Sequence, residues 1–174
     1  MYRQNIGGGL KRLSLIGAAL AVTCALPAMA RDLVTLNMPA EPGTIIVRTA
    51  ERRLYLVQGD GTAIRYRVAV GRAGKQWTGE ARIDGKYVNP AWAPPAEVKR
   101  DNPRLPDVIP GGSPANPMGV RALTLDRDEY AIHGTNRPGS IGTYASYGCI
   151  RMLNDDIVDL YARVGVGTRV VVTR

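Results

Sequence analysis

The chain has 174 residues and carries 23 Lys and Arg against 15 Asp and Glu, a formal charge of +8. That length favours one domain over two. The positive residues are scattered and no nucleic-acid motif accompanies them. This argues against nucleic-acid binding and leaves general solubility or an anionic partner, such as a wall polymer or a membrane surface.

Residues 1–30 read as a secretory signal. Arg3, Lys11 and Arg12 form a positive start, Leu13 to Leu26 is almost wholly apolar, and Ala28-Met29-Ala30 offers a small-x-small cleavage site. The apolar run is shorter than the ~20 residues that span a bilayer as a helix. Cleavage after Ala30 would leave 144 residues beginning at Arg31, with a charge of +5. The expected location is the periplasm or the cell wall, with no stable membrane insertion after cleavage. Cys24 would be lost with the signal, so Cys149 would stand as the lone thiol of an exported protein. In an oxidising compartment such a thiol needs a reason, either burial as a small hydrophobe or chemistry.

Residues 31–43 read as a linker. Thr44 to Val47 and Leu54 to Val57 are short runs rich in β-branched and aromatic residues, as strands require. Gln58-Gly59-Asp60-Gly61 is a turn signal leading to Ile64, Tyr66, Val68 and Val70, which alternate with Arg65, Arg67 and Ala69. Period two with one apolar face predicts a half-buried strand, hence a β-hairpin. From Pro90 to Pro117 there are eight prolines. Proline lacks the ladder donor, so this stretch predicts an ordered loop beside a site, with Trp92 as its anchor.

Strands are expected at Val120 to Leu125, Glu129 to His133 and Thr168 to Thr173. Between the last two lies a helix, with Asn154 as its N-cap and Asp155 and Asp156 in its first turn. Ile157, Leu160, Tyr161 and Val164 recur at i, i+3, i+4 and i+7, and Gly165 is the stop. The reading is mainly β with one helix.

His133 is the only histidine of the chain. It opens His133-Gly134-Thr135-Asn136, while Cys149 sits in Ser146-Tyr147-Gly148-Cys149-Ile150-Arg151-Met152. A thiol is a useful nucleophile only as thiolate, and an imidazole within reach is the commonest way to make one. If residues 149–151 are extended, Cys149 and Arg151 point to one face. The guanidinium would then lower the thiol pKa and offer a donor to a developing oxyanion. Gly148 would let a substrate carbonyl approach the amides around Cys149. One His and one Cys are too few for zinc, since no ligand spacing adds Asp126 or Asp128 to them. A serine triad is disfavoured because Ser113, Ser140 and Ser146 lack the Gly-x-Ser-x-Gly elbow.

At these residues the chain resembles the L,D-transpeptidase catalytic-domain family. The likeness rests on Ile132-His133-Gly134-Thr135-Asn136, on Ile141-Gly142, and on Ser146-x-Gly148-Cys149-Ile150-Arg151-Met152. It extends over the hairpin at Arg53-Leu54-Tyr55-Leu56, and places a catalytic domain at residues 44–174. The resemblance implies a mainly β fold of two mixed β-sheets packed as a sandwich with short helices. It also implies a reaction without cofactor or metal. Cys149 would attack the amide after the third residue of a peptidoglycan tetrapeptide stem, expel D-alanine and leave a thioester. His133 would move the proton, with the Gly134 carbonyl orienting its ring. The resemblance assigns oxyanion or substrate contacts to Gly148, Arg151, Tyr147, Ser146, Thr135 and Asn136. An amine of another stem, a free D-amino acid or a wall-anchored protein would accept the acyl group, and carbapenems acylate this cysteine in many members. Tyr147 departs from the pattern, because the family usually has histidine there. The alternatives are a carboxypeptidase or amidase using water, and a non-catalytic wall-binding module.

Overall fold

The computed structural model describes residues 31–127 and 129–174. The signal-like segment with Cys24, and Asp128, lie outside the described residues. Ten strands are described: β1 (Arg31–Thr35), β2 (Ile45–Arg48), β3 (Arg53–Val57), β4 (Thr62–Gly71), β5 (Gly79–Val88), β6 (Arg121–Leu125), β7 (Ala131–His133), β8 (Tyr144–Ser146), β9 (Ile150–Met152) and β10 (Arg169–Thr173). Two α-helices join them, α1 (Ala96–Asp101) and α2 (Asn154–Arg163), with a 3-10 turn at Pro138–Ser140.

One sheet runs β1-β4-β3-β2-β10-β5 and the second β5-β6-β7-β9-β4. The ten-residue strands β4 and β5 belong to both, so the path closes on itself. The two-sheet sandwich is therefore an approximate description of a mainly β closed path. The sheets are mixed, since β2 and β10, β7 and β9, and β4 and β8 pair in parallel.

The predicted hairpin forms with Leu54 opposite Tyr66 and Leu56 opposite Ile64. Tyr66, Val68 and Val70 point into the main core. The alternation ends at Ala69, which is also fully buried. There β4 leaves β1 and gains β8 and β9 as in-sheet partners, and Val68, Ala69 and Val70 are all buried. Leu54, Ile83, Leu123, Ile132, Ile150 and Met152 complete this core, closed by Ile157 and Leu160 of α2. Each such side chain contributes about 1.5–3 kcal/mol on burial.

Three expectations need correction. Residues 31–43 do not act as a plain linker. Arg31–Thr35 is a strand on the edge of β4, and Leu36 covers a second apolar cluster of Ile46, Tyr55, Val57 and Ala63 on the other face of the sheet. The Pro-rich segment contains the short helix α1, which the sequence reading does not anticipate. Asn154 is the first helical residue of α2, and Leu153 takes the cap position without a side-chain bond. The Asn154 carboxamide oxygen instead accepts the Thr135 backbone N–H at 3.1 Å.

The Pro-rich segment is ordered by its own contacts. Trp92 and Ile109 form a two-way backbone bridge, at 2.9 and 2.8 Å. Asn116, only 2% exposed, donates from Nδ2 to the carbonyls of Pro90, Ile109 and Pro110. These two fixtures substitute for the ladder that proline denies the segment.

Candidate active site

The site is built on β7 and β9. They run parallel with Ile132 opposite Ile150 and His133 opposite Arg151. Ile132 and Ile150 enter the core. By the period-two rule His133, Arg151 and Cys149 project from the other face. The sequence expectation that Cys149 and Arg151 share a face agrees with this register.

Cys149 is half-buried and precedes β9 directly. Its sulfur lies 4.0 Å from the Glu129 carbonyl, and the Ala131 backbone N–H is directed at it. Burial pushes the thiol pKa up, opposed by the Ala131 N–H and the Arg151 charge. The guanidinium therefore acts in the direction expected from sequence, but desolvation outweighs it and the net shift is upward.

His133 is 3% exposed. Its Nδ1 lies 2.8 Å from the Gly134 carbonyl oxygen. A carbonyl only accepts, so this contact assigns the proton to Nδ1 and leaves Nε2 as the basic nitrogen. Burial first, and the Arg151 charge second, hold the imidazole pKa down to about 4. With the thiol raised and the imidazole lowered, the resting groups are thiol and neutral imidazole.

The loop before Cys149 is fixed by contacts that sequence reasoning missed. Gly148 has φ +129°, a region disfavoured for L side chains, and an added Cβ would overlap the Tyr130 ring. Tyr130 stacks on Trp77 with ring centroids 5.3 Å apart, and Trp77 Nε1 donates to the Gly148 carbonyl at 3.0 Å. The available signal was a tryptophan in the otherwise polar stretch between Gly74 and Gly79. Gly134 is closely approached as well, since an added Cβ would overlap the Asn154 carboxamide.

The structure revises several expected contacts. Ser146 is fully buried, and its hydroxyl donates to the Cys149 carbonyl at 2.6 Å and accepts the Gly148 N–H at 3.1 Å. It shapes the nucleophile loop and has no free face for substrate. Thr135 is buried too, with its hydroxyl accepting the Arg137 N–H at 2.9 Å. Tyr147 is turned away from an oxyanion role. Its phenol donates to Asp101 at 2.7 Å, Arg72 donates to the same carboxylate at 2.9 Å, and the Arg72 guanidinium covers the phenol ring. Asn136 is exposed and donates to the Pro114 carbonyl at 3.1 Å.

Two clefts flank Asn136. The larger, about 520 Å³, is bounded by Asn89, Ser113, Asn116, Thr135 and Asp155, and touches neither Cys149 nor His133. The smaller, about 200 Å³, is walled by Trp92, Val98 and Leu105 of the Pro-rich segment and by Arg137, Tyr147 and Arg151. Neither Cys149 nor His133 lines the smaller cleft either, but Tyr147 and Arg151, two residues either side of Cys149, do. Among the described residues no group of three His, Cys, Asp or Glu is arranged to hold a metal.

The fold and site together define a mainly β protein that presents a thiol and a neutral imidazole on one sheet face, flanked by a half-buried guanidinium. Residues 42–172 match the family model for the YkuD-type L,D-transpeptidase catalytic domain, and the chain belongs to that family. It is 40% identical over 151 residues to the probable L,D-transpeptidase YbiS of Escherichia coli K12, covering 78% of this chain and 48% of that protein. It is 37% identical over 182 residues to the probable L,D-transpeptidase ErfK/SrfK of Salmonella typhimurium, covering 97% and 57%. The chain thus spans about half the length of these curated relatives. A crystal structure of an Enterococcus faecium L,D-transpeptidase shares the fold, with a TM-score of 0.61 at 16% identity over 76% of this chain and 50% of that one. No helix among the described residues is long and apolar enough to cross a membrane.

Proposed function

We propose that this protein is a peptidoglycan L,D-transpeptidase exported to the periplasm or cell wall. The observation that carries the reading is the shared face of His133, Arg151 and Cys149 on the parallel pair β7–β9. The named activity of its relatives supports the same chemistry.

In this reading Cys149 Sγ attacks the carbonyl carbon after the third residue of a tetrapeptide stem while His133 Nε2 takes the thiol proton. The tetrahedral oxyanion is held by backbone N–H groups around Cys149 and by Arg151. Collapse breaks the C–N bond, and His133 returns the proton to the departing D-alanine amine, leaving a thioester. An acceptor amine then attacks the thioester, His133 takes its proton, and the Cys149 thiolate leaves and is reprotonated. The acceptor is a neighbouring stem, a D-amino acid or a wall-anchored protein. The Gly134 carbonyl keeps Nε2 basic throughout by fixing the Nδ1–H tautomer.

The test is intact-mass spectrometry after mixing with a carbapenem, beside Cys149→Ala and His133→Ala. The expected result is a covalent adduct on the wild type, none on Cys149→Ala, and acylation slowed by roughly 10²–10⁴ in His133→Ala. A folded, reduced wild type that forms no adduct and turns over no tetrapeptide overturns the reading.

A further inference from the structure

The smaller cleft contains an electrostatic imbalance that the reaction steps do not use. Arg137 and Arg151 both line it, and no Asp or Glu does. Neither arginine side chain has a hydrogen bond or ion pair to an acid among the described residues. Their charges act on each other unfavourably. Arg151 is the more deeply placed, and its Nε is buried with no hydrogen-bond partner. By contrast Arg72 is paired with Asp101, and Lys75 with Glu97. The Asp101 carboxylate, which touches the Tyr147 wall, is engaged by Arg72 and the Tyr147 phenol.

Arg151 is half-buried, and its buried Nε has given up hydration without gaining a hydrogen-bond partner. The exposed Arg137 adds a second positive charge to the same cleft. Two guanidiniums converging without an acid are the arrangement that receives a carboxylate, which accepts from both forks. The remaining walls, Trp92, Val98 and Leu105, are apolar and suit the short aliphatic part of an amino-acid residue.

We propose that the Arg137–Arg151 cleft is a carboxylate-binding subsite that recognises a free carboxylate of the donor peptide. The inference rests on the transpeptidase reading for the identity of that peptide, and Arg137 acts in it as a specificity-determining residue. Arg151 has a double part, since it also faces His133 across the β7–β9 register. Arg137, which lies outside the β7–β9 register, contributes to binding alone. Two sources of the carboxylate are possible on a tetrapeptide stem: the side chain of its third residue and its terminal D-alanine.

The experiment is calorimetric titration of Cys149→Ala protein, which binds without turnover, with a synthetic peptidoglycan tetrapeptide bearing both free carboxylates. Two further peptides each carry one carboxamide in place of one carboxylate. The expected result is that one of the amidated peptides binds about tenfold more weakly than the parent. Arg137→Gln in the same background should weaken the parent by a similar factor and leave that amidated peptide unchanged. The peptide that loses affinity identifies the source. If both amidated peptides bind like the parent, or if Arg137→Gln weakens all three equally, the subsite is refuted. Carbapenem acylation of the Arg137→Gln enzyme with Cys149 intact separates the two readings: an adduct at Cys149 with indifferent peptide binding overturns only this inference. Circular dichroism of each variant excludes loss of fold as the cause.

Discussion

His133 and Arg151 sit opposite each other across the parallel register of β7 and β9, and the guanidinium reinforces burial in keeping the imidazole unprotonated. The same guanidinium opposes burial at Cys149. Arg151 thus favours the neutral imidazole and the ionised thiol, while burial favours the neutral form of both.

The pH dependence of acylation follows from this arrangement. In the proposed reaction His133 is the base and must be neutral, and with its pKa pulled down to about 4 it remains so well below the ordinary histidine range. The acid limb of the carbapenem acylation profile should therefore fall near pH 4, with no histidine-like inflection between pH 6 and 7. In Arg151→Gln the acid limb should move upward and the rate at pH 7 should drop by about 10–100-fold, as for loss of an oxyanion donor. An unchanged limb and rate would remove Arg151 from the mechanism.

Stability should respond to the same group. The folded His133 binds fewer protons than the unfolded chain between about pH 4 and 6.5, so its contribution is complete above 6.5 and is lost as pH falls through about 4. The shift corresponds to roughly 3 kcal/mol at most. Asp156 works in the opposite sense. Burial raises its carboxyl to about 6, and its Oδ2 is buried without a partner. Its contribution is present below 3.8 and is lost as pH rises through about 6. Asp156→Asn should accordingly raise the melting temperature at pH 7.5 and change it little at pH 4, by thermal melts at both.

Gly148→Ala should be among the most damaging single changes near the nucleophile. The residue has positive φ and would press into Tyr130, which is held by its stack on Trp77. Backbone strain and overpacking together cost about 2–4 kcal/mol. Acylation should fall by at least about 100-fold as the Cys149 carbonyl and Gly148 N–H lose their bonds to Ser146. A stopped-flow acylation trace with a denaturation curve would check both.

Tyr147→Phe discriminates between two roles for the phenol. An oxyanion donor removed would cost about 10²–10³ in rate. The bond to Asp101 instead predicts less than a tenfold loss, with Asp101→Asn giving a similar small effect. Both variants should increase proteolytic cleavage within 96–107, because they release α1 from the loop of the nucleophile. A hundredfold loss in Tyr147→Phe alone would restore the oxyanion role.

The sequence by itself determined the hairpin of β3 and β4, strands β6 and β10, and the apolar stripe of α2. It also singled out Cys149 and His133, and the shared face of Cys149 and Arg151. These are local: periodicity, turn chemistry and rare reactive side chains are visible in a few neighbouring residues. The strand β5 was not legible, because its buried face is only Ala81, Ile83 and Gly85 and its remaining positions are exposed or charged. The edge strand β1 was hidden for a similar reason, as its order comes from pairing with β4. Tertiary structure alone decided the balance of charge at the site. It set whether burial or Arg151 governs the Cys149 thiol, whether Tyr147 meets substrate or Asp101, and whether Arg137 and Arg151 share a cleft. Desolvation and ion pairing depend on what approaches from distant parts of the chain, and sequence spacing carries no record of that approach.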